Sequence, residues 1–127
     1  MVVVLSQSPS RKQALKVLLV IIQKDLPVFH VSEFVEIPAL LDAHPTEIQV
    51  LILDNWMQQA ALIHELRLLM DAYPTLRTIT LLKDGNRPKW IPMGDQHRVL
   101  VGNFDPNEFL QLVREFLSDQ TIQSGRE

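Results

Sequence analysis

Short apolar runs alternate along this chain with longer segments in which apolar residues recur every three or four positions. The apolar runs predict five buried strands, at residues 2–5, 28–31, 48–54, 76–82 and 98–101. The segments with helical spacing predict four helices, at residues 9–24, 37–43, 58–72 and 106–117. Because strands and helices alternate, the pattern indicates a parallel sheet with right-handed crossovers and helices on both faces.

Capping residues and a segment with prolines and glycines indicate where helices begin and where a loop interrupts them. Ser8 followed by Pro9 is typical of an N-cap and first helical position, and the sequence at 105–108 predicts a second start with a capping box. Residues 83–96 contain two prolines and two glycines, which favours a long loop over a helix. We expect one domain at residues 1–118 and a flexible C-terminal tail at 119–127, where little can be buried.

Composition excludes several classes of function. The 127 residues, 46% of them hydrophobic, suit a single globular domain. A formal net charge of −3 with scattered cations argues against a nucleic-acid partner. There is no cysteine, so disulfides, thiol catalysis and cysteine zinc sites are excluded. The apolar run at 17–22 is too short to span a membrane and the chain begins without a basic leader, so we expect a cytoplasmic protein with no membrane partner.

Asp54 is the first candidate for chemistry, because it ends the central strand at the sheet edge where ligands collect in open α/β proteins. Residues that end or follow neighbouring strands should lie near it, namely Ser6, Gln7 and Lys83. A purely structural interpretation is also open, in which Asp54 caps a loop or pairs with Lys83.

Other candidate sites are weaker. Serines at 6, 8 and 10, near a helix N-terminus, could hold a phosphate, although capping alone explains Ser8. The four histidines are dispersed over separate elements without metal-ligand spacing, so we expect no zinc site. No nucleophile has a recognisable base beside it, and we therefore expect no enzyme.

The order of elements, the length and the stretch Leu53-Asp54-Asn55-Trp56-Met57 resemble the receiver domain of bacterial two-component response regulators. The resemblance covers residues 2–117. It implies a flavodoxin-like (CheY-like) α/β three-layer sandwich, whose five-stranded parallel sheet has the order 2-1-3-4-5. The helices after strands one and five should share a face, and here the fourth helix is expected to be reduced or replaced by a loop.

In receiver domains a histidine kinase phosphorylates the aspartate that ends the third strand, and Asp54 matches this position. The family also has an acidic pair that holds Mg²⁺, a hydroxyl residue ending the fourth strand, and a Lys-Pro pair after the fifth. This chain has other residues at those places: Ser6-Gln7, Leu82-Lys83 and Gly102-Asn103. A single carboxylate among neutral neighbours binds Mg²⁺ weakly, so the resemblance implies a pseudo-receiver without metal or cofactor.

We therefore expect a signalling module that acts through protein contacts. The first alternative is a working phospho-acceptor in a phosphorelay, with Mg²⁺ at Asp54 and help from Lys83. The second is a flavodoxin-like module that binds a small phosphate or nucleotide ligand. Trp90, Ile91 and Met93 fall within four residues of one another and, with the fifth strand and last helix, form the expected partner face, possibly of a homodimer. Alternatively, Trp90 and Ile91 cover the sheet edge.

Overall fold

The computed structural model describes residues 1–54, 60–82, 97–101 and 105–126. The strands within this part of the chain are β1 (Val2–Leu5), β2 (Val28–Val31), β3 (Val50–Asp54), β4 (Arg77–Leu82) and β5 (His97–Val101). The helices are α1 (Pro9–Ile22), α2 (Glu36–Ala43), α3 (Ala60–Ala72) and α4 (Pro106–Arg126). The order of these elements is the predicted one.

The five strands form one sheet in the order β2-β1-β3-β4-β5, and every neighbouring pair is parallel. This confirms the predicted fold class and strand order. The pairing of β1 with β3 places Leu5 opposite Leu53, so these two strands end side by side. Residues 83–96 are outside the described residues, and the prediction that a loop replaces a helix there stays a prediction.

The core has two layers, one on each face of the sheet. One face packs α2 and α3 through residues that include Ile37, Leu41 and Leu66. The other packs α1 and α4 together, with Leu15 and Leu19 in the same cluster as Phe109 and Val113. The prediction that the helices after strands one and five share a face is confirmed.

The ends of several elements differ from the expected positions, and the end of α4 differs most. Helix α4 continues to Arg126, whereas the sequence pattern predicted an end near residue 117. Backbone hydrogen bonding can continue there because no proline or glycine occurs between Leu117 and Gly125. The expected flexibility of residues 119–127 remains a prediction. Strand β5 begins one residue earlier than predicted, at His97.

His97 is almost fully buried, and two threonines of β4 account for this. The register places Thr78 opposite His97, and the Thr78 hydroxyl is hydrogen-bonded to the His97 Nδ1 atom. The Thr80 hydroxyl lies 3.4 Å from Nε2. Both ring nitrogens therefore have polar partners, which offsets the cost of burying an imidazole between strands.

Candidate functional site

The site lies at the carboxyl edge of β1 and β3, where the chain leaves two adjacent parallel strands. Asp54 is the last residue of β3 and only 8% exposed. Ser6 follows β1 directly and is 1% exposed. The Ser6 hydroxyl donates a hydrogen bond of 2.8 Å to Asp54 Oδ2. The adjacency that the strand order predicts therefore brings these two side chains into contact.

Arg11 is the cation that pairs with Asp54 in the part of the chain that the structure describes. Its Nη2 atom lies 2.8 Å from Asp54 Oδ1, and its Nε atom lies 3.3 Å from both carboxylate oxygens. This is the forked arrangement by which a guanidinium holds a carboxylate. The Asp54 side chain is only 5% exposed, whereas that of Arg11 is 48% exposed. The hydrogen bond to Asp54 raises the pKa of Arg11 above its ordinary value, so the guanidinium stays charged.

The local sequence explains why Arg11 reaches Asp54. The backbone N–H of Ser8 donates to Ser6 Oγ at 3.2 Å, which fixes the turn after β1. The Ser8 hydroxyl then caps α1 by accepting from the Arg11 N–H at 3.4 Å. Helix α1 therefore starts directly above the end of β1, and its first turn brings Arg11 over the end of β3.

No protein-family model matches the chain, and no curated protein matches it either. Several solved structures, however, are similar to this chain. A two-component transcriptional regulator AraC from Clostridium phytofermentans ISDg has a TM-score of 0.75 at 14% identity, covering 99% of this chain and 98% of that one. A CheY-like receiver domain protein from Methanospirillum hungatei JF-1 has a TM-score of 0.67 at 16% identity, covering 94% and 95%.

A third similar structure, from Burkholderia pseudomallei K96243, is named for its relation to pilus assembly. It has a TM-score of 0.72 at 14% identity and covers 92% of this chain and 88% of that one. The fold is that of the CheY-like receiver domains. Identities this low show the fold alone, so the function of this receiver-like domain has to be argued from its site.

The geometry limits what Asp54 can do. A carboxylate that attacks phosphorus needs an oxygen with a free lone pair and a cation that stabilises the transferred group. In this receiver-like domain both Asp54 oxygens already accept hydrogen bonds, from Ser6 and from Arg11. Within the described residues, no group of three histidine, cysteine, aspartate or glutamate side chains could hold a metal ion. Magnesium at Asp54 would have to compete with the guanidinium.

The structure describes only some of the residues that the sequence analysis singled out. Gln7, next to Ser6, is exposed. Six others are outside the described residues: Lys83, Trp90, Ile91, Met93, Gly102 and Asn103. Sequence reasoning missed Arg11. The available signal was its position three residues after the Ser8 cap, which puts a long cation in the first turn above the sheet edge.

Proposed function

We propose that this receiver-like domain is a pseudo-receiver: a non-enzymatic signalling module that acts through protein contacts and does not use Asp54 for phosphotransfer. The observation behind the proposal is the contact between Arg11 and Asp54. Similar structures include a two-component transcriptional regulator and a protein named for pilus assembly, so one fold occurs under different functional names. The two-component regulator and the response regulator receiver domain suggest signal transduction as the function of this chain.

The pairing with Arg11 opposes phosphotransfer for an energetic reason. The guanidinium stabilises the free carboxylate before any reaction, and catalysis requires interactions that strengthen in the transition state instead. A phosphoryl donor would also bring negative charge to an edge where Ser6 and Gln7 stand in place of carboxylates that could hold Mg²⁺. Asp54 in this arrangement ties α1 to the sheet.

Incubation with acetyl phosphate and Mg²⁺ tests the proposal directly. We expect no increase in the intact mass of the wild type, and none in that of the Asp54→Asn variant. A gain of one phosphoryl group in the wild type that is lost in Asp54→Asn would contradict the proposal and establish the phospho-acceptor alternative. A nucleotide or chromophore copurifying with the protein would instead support the small-ligand alternative.

Magnesium binding gives a second prediction. We expect no saturable binding at millimolar Mg²⁺, because one carboxylate already paired with Arg11 offers too little charge for this cation. Calorimetry or the fluorescence of Trp56, two positions after Asp54 in the sequence, would detect binding. A saturable signal that disappears in Asp54→Asn would refute the prediction.

An exposed apolar strip on α1 supports a role in protein contacts. Val17, Val20 and Ile21 are 53%, 44% and 58% exposed and follow the i, i+3, i+4 spacing that places them together on one side of the helix. Valine and isoleucine are mediocre helix formers, so at exposed positions they lower helix stability without the gain from burial. A partner that covers this strip would supply that gain.

The sequence also suggests a contact face around Trp90, and one substitution tests it. If Trp90 anchors an interface, Trp90→Ala should weaken association and leave the melting of the monomer nearly unchanged. If Trp90 covers the sheet, the same change should lower the free energy of unfolding by roughly 3–5 kcal/mol. Sedimentation and thermal melting of the wild type and of Trp90→Ala distinguish these two interpretations. A wild type that stays monomeric at high concentration would exclude the homodimer.

A further inference from the structure

Strand β2 is at one edge of the sheet, and its outer backbone groups are open to a partner. Among the described residues it pairs only with β1. The carbonyl oxygens of Pro27 and Val31 accept hydrogen bonds from the backbone N–H groups of Val2 and Ser6, at 3.0 and 3.1 Å. Because successive residues of a strand direct their backbone groups to opposite sides, the N–H and C=O groups of Val28 and His30 point outward.

Apart from its short length, strand β2 has little of the usual protection of an edge strand against pairing. Natural edge strands are blocked by lysine, proline or a bulge. The sequence of β2 is Val-Phe-His-Val, and its register with β1 is regular over all four residues. Phe29 is 37% exposed beside the edge. The only defence visible in β2 itself is its short length.

A groove lies along one face of this edge, between β2 and α2. It has a volume of about 420 Å³ and is lined by Phe29, His30, Val31, Glu36, Ala39 and Leu40. Phe29 and Val31 are on this face because their partners, Val3 and Leu5, belong to the core layer of α2 and α3. The groove is therefore suited to an apolar side chain from an added strand.

Lysines of α1 lie near the opposite face of the same edge, where Lys12 donates a hydrogen bond of 2.7 Å to Ser32, the residue after β2. His30 pairs in register with Val4, which belongs to the core layer of α1. Its pKa is lowered by partial burial and by the nearby charges of Lys16 and Lys12. Helix α1 contains no acidic residue, although the whole chain has a net charge of −3. An added strand would meet cations on this face.

We propose that β2 binds an extended segment of a partner protein in which apolar and acidic residues alternate. The segment would continue the sheet through the backbone groups of Val28 and His30. Its apolar side chains would enter the groove beside Phe29, and its acidic side chains would face Lys12 and Lys16. Side chains of a strand point alternately to the two faces, so this sequence pattern matches the two faces of the edge. The proposal does not depend on the state of Asp54.

A labelled peptide containing Val-Glu-Val-Glu-Val is a suitable probe, with a peptide of the same composition but grouped residues as control. We expect the fluorescence anisotropy of the labelled alternating peptide to rise to a plateau as the protein is added. Amide NMR shifts and slowed hydrogen exchange should appear at Val28 and His30. Absence of saturable binding, or shifts confined to another surface, would overturn the proposal.

Two variants separate the backbone and charge contributions. His30→Pro removes an outward N–H but no bond to β1, so the domain should fold and lose about tenfold or more in affinity. Lys16→Glu should weaken binding of the acidic peptide and strengthen binding of a peptide with lysine in place of glutamate. Arg114→Glu, on the exposed face of α4, is the control and should change neither affinity. Unchanged binding by His30→Pro would refute edge pairing. A wild-type dimer that His30→Pro dissociates would show a second copy as the occupant instead.

Discussion

Replacing Phe109 by alanine is expected to lower the free energy of unfolding by about 3–5 kcal/mol, the usual range for truncating a large buried aromatic side chain. Phe109 has no exposed surface and lies in the core layer shared by α1, α4 and the sheet. Small domains are stable by only about 5–15 kcal/mol, so the variant would lose a large part of its stability. Urea denaturation followed by circular dichroism measures this change.

Phe29→Ala is the matched control, since it removes the same side chain from an exposed position. Phe29 is 37% exposed on edge strand β2 and contacts the ring of His44 with centroids 5.6 Å apart. Its removal should cost less than that of Phe109, because more than a third of the surface of Phe29 is already exposed to water in the folded protein. Equal losses for the two variants would show that α4 is not packed on the sheet as described.

The fold could be predicted because it depends on patterns that are local in the sequence. Short apolar runs marked the strands, and the Ser8-Pro9 pair marked the start of α1. His97 shows where such patterns fail: its burial depends on hydroxyl groups of Thr78 and Thr80 on the neighbouring strand. Hydrophobic spacing contains no information about that kind of compensation.

The site could be predicted in part for the same reason. Strand order alone placed the end of β1 beside the end of β3, and Ser6 does contact Asp54. Arg11 could not be chosen over other cations, because 43 positions separate it from Asp54 and the contact depends on side-chain reach and helix orientation. Neutral residues at the family's acidic positions suggested a missing metal. The sequence suggested Lys83, and not Arg11, as the cation that could pair with Asp54.

Replacing Arg11 by methionine should destabilise the domain by about 1–2 kcal/mol, because it leaves a nearly buried carboxylate whose remaining hydrogen-bond partner among the described residues is Ser6. Removing one member of a fully buried pair costs more, but Arg11 is half exposed and water can replace part of its interaction. Lys12→Met is the matched control. Lys12 is the next residue of α1 and donates to Ser32 on the surface, so its removal should change stability by about 0.5 kcal/mol at most.

A double-mutant cycle distinguishes loss of the ion pair from loss of packing. In the Asp54→Asn background, Arg11→Met should cost much less than in the wild type, since no charge is left without a partner. Urea midpoints of the four proteins measure this coupling. A deficit that is equal in the two backgrounds would mean that Arg11 contributes through its aliphatic stem, and the assignment of Asp54 as a carboxylate neutralised by Arg11 would then be wrong.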